Sequence, residues 1–162
     1  MIQCSMNEGS YKYNGAKALV ALQEIHIKEF YNTWKKAKEL DIKLPITDDP
    51  FYKSLNTLLY HVLRSSRGYI VWICSQLKLP DPKIDEAPLP EIIIENAEKF
   101  IEHLVERWKL PLRNVEPELF EDKVYKSNWD VDFCIESMLE HAVMHPIRHK
   151  YQLDNLIRQQ TK

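Results

Sequence analysis

The sequence predicts an all-α protein in which four long helices form an antiparallel bundle. Four stretches carry apolar residues at helical spacing, with charged residues on the other face. The chain has only 3 glycines, fewer than the tight turns of an all-β protein usually need. Most of its 9 prolines lie between the apolar stretches, where helices should end. We expect one domain spanning residues 1–162, with a longer irregular connection between the third and fourth helices.

The first two helices are predicted from their apolar stripes. The first covers about residues 15–40, and its inward stripe is expected to contain Leu19, Leu22, Ile25 or His26, Phe30 and Trp34. The second covers about residues 50–77, where Asp48 or Asp49 can cap the helix and Pro50 suits its first turn. Its inward stripe is expected to contain Phe51, Leu55, Leu58, Val62, Ser65, Tyr69 and Trp72.

The third and fourth helices flank a less regular region. The third covers about residues 90–109, with an inward stripe of Ile93, Ala97, Phe100, Leu104 and Trp108 and a solvated acidic row of Glu91, Glu95, Glu98, Glu102 and Glu106. Residues 110–128 are expected to hold a short helix near 117–122 or a small strand pair. The fourth helix covers about residues 130–160, and Pro146 inside it predicts a bend.

Composition excludes several classes of partner. The 22 Lys and Arg residues against 24 Asp and Glu residues argue against broad nucleic-acid binding, which needs a concentrated basic surface. No apolar run approaches the roughly 18–20 residues that span a bilayer, and the first residues do not form a signal peptide, so we expect no membrane partner. Cys4, Cys74 and Cys134 form no CxxC motif, which favours reduced thiols and a cytoplasmic protein; Cys74 and Cys134 are interpreted as core residues.

A row of three histidines lies on the apolar stripe of the fourth helix. His141, His145 and His149 are spaced by four, so they fall on nearly one side of the helix. Each buried imidazole costs free energy unless its nitrogens find partners, so packing alone does not explain the row. Two of them one turn apart can share a metal ion, whereas the outer pair lies about 12 Å apart along the axis. One adjacent pair is therefore expected to bind, with the third histidine outside the ligand set.

A third ligand must then come from another helix. His61, near the midpoint of the second helix and at the edge of its apolar stripe, is the best candidate. His26 is a weaker one, and His103 lies among charged residues and is interpreted as a surface residue. Three histidines with open positions are typical of a catalytic metal site, and Zn²⁺, Ni²⁺, Fe²⁺ or Co²⁺ would accept them. A hydrogen-bonded core histidine remains the alternative, as does a helical scaffold whose histidines are merely solvated.

The segment HAVMHPIRHKYQL, together with an inward His61 on an earlier helix, resembles the C-terminal motif of the DinB-like superfamily of metal-binding four-helix-bundle proteins. The resemblance implies that His61, His145 and His149 are the metal ligands. It matches Gln152 to a trailing polar residue of the motif and His141 to a histidine that is usually not a ligand. Whether His141 replaces His149 in the ligand set is left open.

The resemblance implies a metal-dependent enzyme that uses a divalent ion, Zn²⁺ or Ni²⁺ first and Fe²⁺, Co²⁺ or Mn²⁺ after them. Such an ion would activate a low-molecular-weight thiol or water for transfer to, or hydrolysis of, a small electrophilic substrate. Gln152, Arg148 and Tyr151 are the predicted catalytic residues, with Tyr60 a further helper, and Arg148 could pair with a substrate carboxylate. The family also implies a homodimer. The alternative function is a non-catalytic, dimeric module that binds a metal or a small ligand.

Overall fold

The computed structural model describes residues 10–161, and Cys4 lies outside the described residues. The fold is mostly helical, with α1 at Asn14–Glu39, α2 at Leu55–Gln76, α3 at Ile93–Trp108 and α4 at Ile135–Gln160. Two short 3₁₀ helices, Pro50–Tyr52 and Pro117–Phe120, precede α2 and follow α3. A small antiparallel sheet pairs β1 (Tyr125–Lys126) with β2 (Asp132–Phe133), with Tyr125 opposite Phe133. The region after α3 therefore contains both the short helix and the strand pair that the sequence offered as alternatives.

Contacts between helix ends give the direction of each helix. Tyr13, just before α1, donates to Glu136 at the start of α4, and Lys43, just after α1, accepts a side-chain hydrogen bond from Gln160 at the end of α4. These two contacts make α1 and α4 parallel. α1 and α2 run in opposite directions. The indole N–H of Trp34, near the end of α1, donates to the carbonyl of Leu55, at the start of α2, at 2.6 Å.

The direction of α3 departs from the predicted alternation of neighbouring helices. Asn56 near the start of α2 donates to the carbonyl of Pro90, just before α3, and Trp108 at the end of α3 donates to the carbonyl of Ser66 farther along α2. These contacts make α2 and α3 parallel, because residues 77–92 carry the chain back to the end from which α2 began. The connection between α2 and α3 therefore spans the length of the helices, whereas the sequence predicted a long connection only between the third and fourth helices.

The buried face of α1 differs in part from the predicted stripe. Phe30 and Trp34 are buried as predicted, but Leu22 and Ile25 are 39% and 48% exposed. The core instead receives Ala16, Val20, Gln23 and Ile27 from this helix. Gln23 is buried because its side-chain amide donates to the hydroxyl of Ser66 on α2. A polar residue that finds a partner in the core shifts the buried face in a way that apolar periodicity does not reveal.

The α2 and α3 stripes follow the sequence pattern closely. All five predicted inward residues of α3 are buried and its glutamates are exposed. On α2 the predicted stripe is buried from Leu55 to Trp72, apart from the half-buried Ser65. Phe51 lies outside α2, in the preceding 3₁₀ helix, and is half-buried.

The helix starts differ from the predicted ones by several residues. Asp49 and Pro50 begin the 3₁₀ helix, while α2 begins after Ser54, which forms a capping box with Thr57. Cys134 was predicted to be a core residue, but it is the half-buried N-cap of α4 and accepts the Ser137 N–H at its Sγ. Cys74 is buried as predicted.

Helices α1 and α2 end without glycine. Asp41 and Lys78 adopt left-handed backbone angles, with φ of 51° and 55°. At the end of α2, the N–H of Leu79 donates to the carbonyl of Cys74 at 2.8 Å, and that of Lys78 donates to Ser75, which is the Schellman pattern. Tolerating a left-handed residue with a side chain explains how so few glycines suffice. Among residues 10–161, no helix is both long enough and apolar enough to cross a bilayer.

Candidate metal centre

Three histidines from α2 and α4 converge on one point. His61 lies on α2, and His145 and His149 lie one turn apart on α4. Their ligand nitrogens lie within 4.8 Å of one another, and the Nε2 atoms of His61 and His145 are 3.0 Å apart. Two imidazole nitrogens this close share either a proton or a metal ion, so the predicted histidines meet in the geometry on which the sequence hypothesis depended.

The local sequence explains why these side chains meet. α2 and α4 run in opposite directions, since Tyr52 before α2 contacts His149 while Tyr69 farther along α2 contacts His141. Along α4, Ala142 and Pro146 are buried beside the histidines, which keeps the histidine stripe towards α2. α4 continues as one helix across Pro146.

His149 is oriented by two polar neighbours. Its Nδ1 lies 3.0 Å from Oε1 of Gln152, and the hydroxyl of Tyr52 donates to the same oxygen. Because an amide oxygen only accepts, the Nδ1 of His149 must carry the proton, which leaves Nε2 unprotonated. Metal-binding histidines are commonly fixed in this way by an acceptor on the other ring nitrogen. Gln152 was predicted from sequence, whereas Tyr52 was not, because it lies 97 positions from His149 in the chain.

The site favours neutral imidazoles. Burial lowers the pKa of His145 to about 2, with further lowering by the charges of the neighbouring histidines and Arg148. Burial lowers the pKa of His149 to about 4, with the charge of His61 acting in the same direction. Burial also lowers the pKa of His61, although the carboxylate of Asp49 opposes the shift. A neutral imidazole has a free lone pair, which is the form that binds a metal.

The donor set fits a divalent metal. Two nitrogens each about 2.1 Å from one metal ion lie roughly 3.0–3.4 Å apart in octahedral or tetrahedral coordination, which matches His61 and His145. The remaining separation to His149 is within the reach of a side-chain rotation. The Nδ1 of His145 is buried and has no hydrogen-bond partner among the described residues. A buried imidazole in this state costs free energy that metal ligation at its other nitrogen would offset.

The other histidines are not part of the cluster. His141 is enclosed by the rings of Tyr69, Trp129 and Phe133 at centroid distances of 5.3–5.6 Å. His26, the weaker candidate, does not join the site and pairs instead with Glu29 at 3.0 Å on the surface. His103 is half-buried and accepts the backbone N–H of Asp85, so its contacts do not include the cluster either.

The predicted catalytic residues have different positions. Gln152 contacts the cluster, and Arg148 is exposed but lines both cavities that adjoin it. Tyr151 is 63% exposed and lines neither cavity, so its position gives no support to its predicted role. Successive residues of a helix point about 100° apart, so the side chain of Tyr151 does not share the face of Gln152. Tyr60 also lines neither cavity and packs against the core.

Two cavities lie near the histidines and share Arg148 in their walls. The larger measures about 760 Å³ and includes His61, His141, His145, aromatic side chains and arginines in its wall. The smaller measures about 430 Å³ and is bordered by Asp49, Tyr52, Arg148 and Gln152. Asp49 is a carboxylate that the sequence hypothesis assigned only to helix capping. One of its oxygens accepts the N–H of Phe51 at 2.9 Å, which fixes the carboxylate at the cavity wall.

Comparison of the chain with family models, with curated proteins and with solved structures found no match. The histidine cluster and its two cavities are therefore the features from which function is inferred.

Proposed function

We propose that this protein is a metal-dependent enzyme of the DinB-like type, in which His61, His145 and His149 hold a divalent ion. The observation that carries the proposal is the convergence of three neutral imidazoles, with the Nε2 atoms of His61 and His145 3.0 Å apart. The helix directions are compatible with a four-helix bundle whose site is built from facing helices, as the family resemblance implies. Zn²⁺ and Ni²⁺ are the preferred ions, and Fe²⁺, Co²⁺ and Mn²⁺ are alternatives, because imidazole suits several of them.

A bound divalent ion supplies the chemistry of lowering the pKa of a thiol or water. The chain contributes the rest. Gln152 and Tyr52 fix the ring of His149, Arg148 offers a positive charge between the two cavities, and Asp49 offers a carboxylate that can accept a proton. Two cavities beside one site suit a reaction with two reactants, which favours transfer of a low-molecular-weight thiol to a small electrophile. Hydrolysis of a small substrate is the second possibility for the same site.

Metal binding is tested on protein purified without a histidine tag. Elemental analysis should find close to one metal ion per chain, and His145→Ala and His149→Ala should abolish it. His26→Ala is the matched control, since it removes a surface imidazole that forms no part of the cluster. At a free zinc concentration 100 times the dissociation constant, binding should stabilise the fold by about 2.7 kcal/mol and raise the melting temperature by roughly 5–11 °C. Untagged protein without metal, whose melting temperature zinc leaves unchanged, would refute the proposal.

A non-catalytic, dimeric module that binds a metal or a small ligand is the second candidate, because the same three histidines would hold a metal ion whether or not a reaction follows. Turnover separates the two. Metal-loaded protein is incubated with glutathione or bacillithiol and chloro-dinitrobenzene, and conjugate formation is followed by absorbance. Conjugation that disappears in His145→Ala but persists in His26→Ala supports the transferase. Stoichiometric metal without turnover of any thiol or ester supports the binding module.

A further inference from the structure

The larger cavity combines positive charge with aromatic surface beside the histidine cluster. Arg64 lies one turn after His61 on α2, and Arg148 lies one turn after His145 on α4. α2 and α4 run in opposite directions, and both arginines line the same cavity. The site thus receives one arginine from each of the helices that supply its metal ligands.

These two arginines are free to pair with a ligand. Among residues 10–161, neither Arg64 nor Arg148 has a carboxylate within salt-bridge distance, and both are exposed at the cavity. Arg67 also lines the cavity, but Glu86 lies 2.8 Å from its guanidinium nitrogen and neutralises it. The wall therefore carries two uncompensated positive charges, although the whole chain has a net charge of −2.

The remaining wall is aromatic. Phe51, Tyr69, Trp72 and Trp129 line the cavity, and Trp129 lies between β1 and β2 with 46% of its surface exposed. Trp129 is held against His141 and Phe133, at centroid distances of 5.6 and 5.7 Å. A cavity of about 760 Å³ lies within the usual size range of small-molecule sites. Tyr69 and Trp72 are largely buried, so the exposed indole of Trp129 is the aromatic surface that favours a flat apolar body over a flexible polar one.

We infer that the larger cavity binds a small, flat apolar or aromatic acid, with its carboxylate between Arg64 and Arg148 and its body against Trp72 and Trp129. This inference rests on the proposed function, because it names the class of the electrophilic substrate for that site. Arginine binds carboxylates through paired, charge-assisted hydrogen bonds, which fix orientation as well as add affinity. An acid anchored in this way lies in the cavity whose wall includes His61 and His145.

The test compares two probes that differ in charge but hardly in shape. Binding of 4-nitrobenzoate and of its neutral isostere 4-nitrobenzamide is measured by calorimetry and by quenching of tryptophan fluorescence. Both measurements are made on zinc-loaded and on chelator-treated protein. The acid should bind at least tenfold more tightly than the amide in both states, because the arginines do not depend on the metal. Trp129→Phe should reduce the quenching, since Trp34 and Trp108 are buried in the core.

Charge-removing variants assign the preference to particular residues. Arg64→Gln and Arg148→Gln should each weaken acid binding about fivefold to tenfold, and the double variant should bind acid and amide equally. Arg158→Gln, which removes an exposed arginine from the same helix α4 but outside the cavity, is the matched control and should change nothing. Equal binding of the two probes by the unaltered protein, or an acid preference that survives in the double variant, overturns the inference.

Zinc content measured on the same samples separates this inference from the proposed function. The arginine variants should keep close to one zinc per chain. Protein that lacks metal but still prefers the acid through Arg64 and Arg148 refutes the metal enzyme and supports the anion site. Protein that holds zinc but shows no acid preference refutes the anion site alone.

Discussion

The contact between α2 and α4 differs in kind from the core that α1 and α3 supply. α1 and α3 contribute fully or nearly fully buried apolar side chains, among them Ile27, Phe30, Leu104 and Trp108. Where α2 faces α4, three imidazoles occupy the interface and two cavities adjoin them. The apolar core of α1 and α3 stabilises the fold by removing apolar surface from water. The contact between α2 and α4 destabilises it, because polar rings lose their contact with water there.

This difference indicates which part of the fold is less stable than an apolar core would be. Apolar residues at the positions of His145 and His149 would be buried at a lower cost in free energy, as the neighbouring Ala142 and Leu153 illustrate. The imidazoles are instead kept neutral by burial, and the ring of His149 is fixed by Gln152. Ligand binding is the physical process that can return the free energy lost there.

The largest expected effect comes from the apolar region. Trp108→Ala should destabilise the protein by about 3–5 kcal/mol, because it leaves a large cavity and the carbonyl of Ser66 loses its indole donor. Chemical denaturation followed by circular dichroism measures the change. A loss below 1 kcal/mol would mean that this part of the core is not closely packed.

The corresponding substitution at the site should act in the opposite direction. His145→Leu removes a buried Nδ1 without a partner, so metal-free protein should become more stable by about 1–2 kcal/mol. With saturating zinc the order should reverse, because only the unaltered chain gains binding energy. A variant that is less stable than the unaltered chain without metal would show that His145 supports the fold rather than a ligand.

The sequence predicts the helical region better than the connections. Regular apolar spacing identified α2 and α3 with most of their buried faces, because those stripes contain few polar residues. The stripe of α1 was partly misplaced, since the buried Gln23 depends on Ser66 of another helix. The parallel arrangement of α2 and α3 could not be predicted either, because a proline-rich connection does not reveal where it leads.

The candidate site was predictable where its residues share a helix. Spacing on α4 predicted that one adjacent pair among His141, His145 and His149 binds, the family resemblance implied the pair His145 and His149, and His61 followed from its place on the apolar stripe of α2. Tyr52 and Asp49 were not recognised, because they lie in and before a 3₁₀ helix that reaches the site only in the folded chain. Tyr151 is adjacent to Gln152 in the chain but does not share its helix face, and its catalytic role stays a prediction.

The pH dependence of metal-free protein should report the buried histidines. An unfolded histidine has a pKa near 6.5, whereas burial lowers the pKa of His145 to about 2 and that of His149 to about 4. Below pH 6.5 the unfolded chain takes up protons that the folded chain refuses, so stability falls as pH falls. Above about pH 7.5 these rings are neutral in both states and no further effect is expected.

Each of these two histidines should lower the free energy of unfolding by about 2 kcal/mol between pH 7.5 and pH 5. The measurement is denaturant unfolding across this range with a chelator present. Subtracting the profile of His145→Leu removes the contribution of carboxylates, which both proteins share. Identical pH profiles for the two proteins would contradict neutral burial of His145.

A further test of the comparison concerns the support of His149. Gln152→Leu removes the acceptor that fixes the Nδ1 proton, so zinc affinity should fall about tenfold to a hundredfold while one zinc per chain is still bound at saturation. Competition with a colorimetric chelator measures this change. Glu24→Gln is the control and should leave zinc affinity unchanged. It removes an ion pair between α1 and Lys109, at the end of α3, and neither residue contacts the histidine cluster. Unchanged affinity in Gln152→Leu would mean that the packing of α4 against α2, rather than this hydrogen bond, orients the ring of His149.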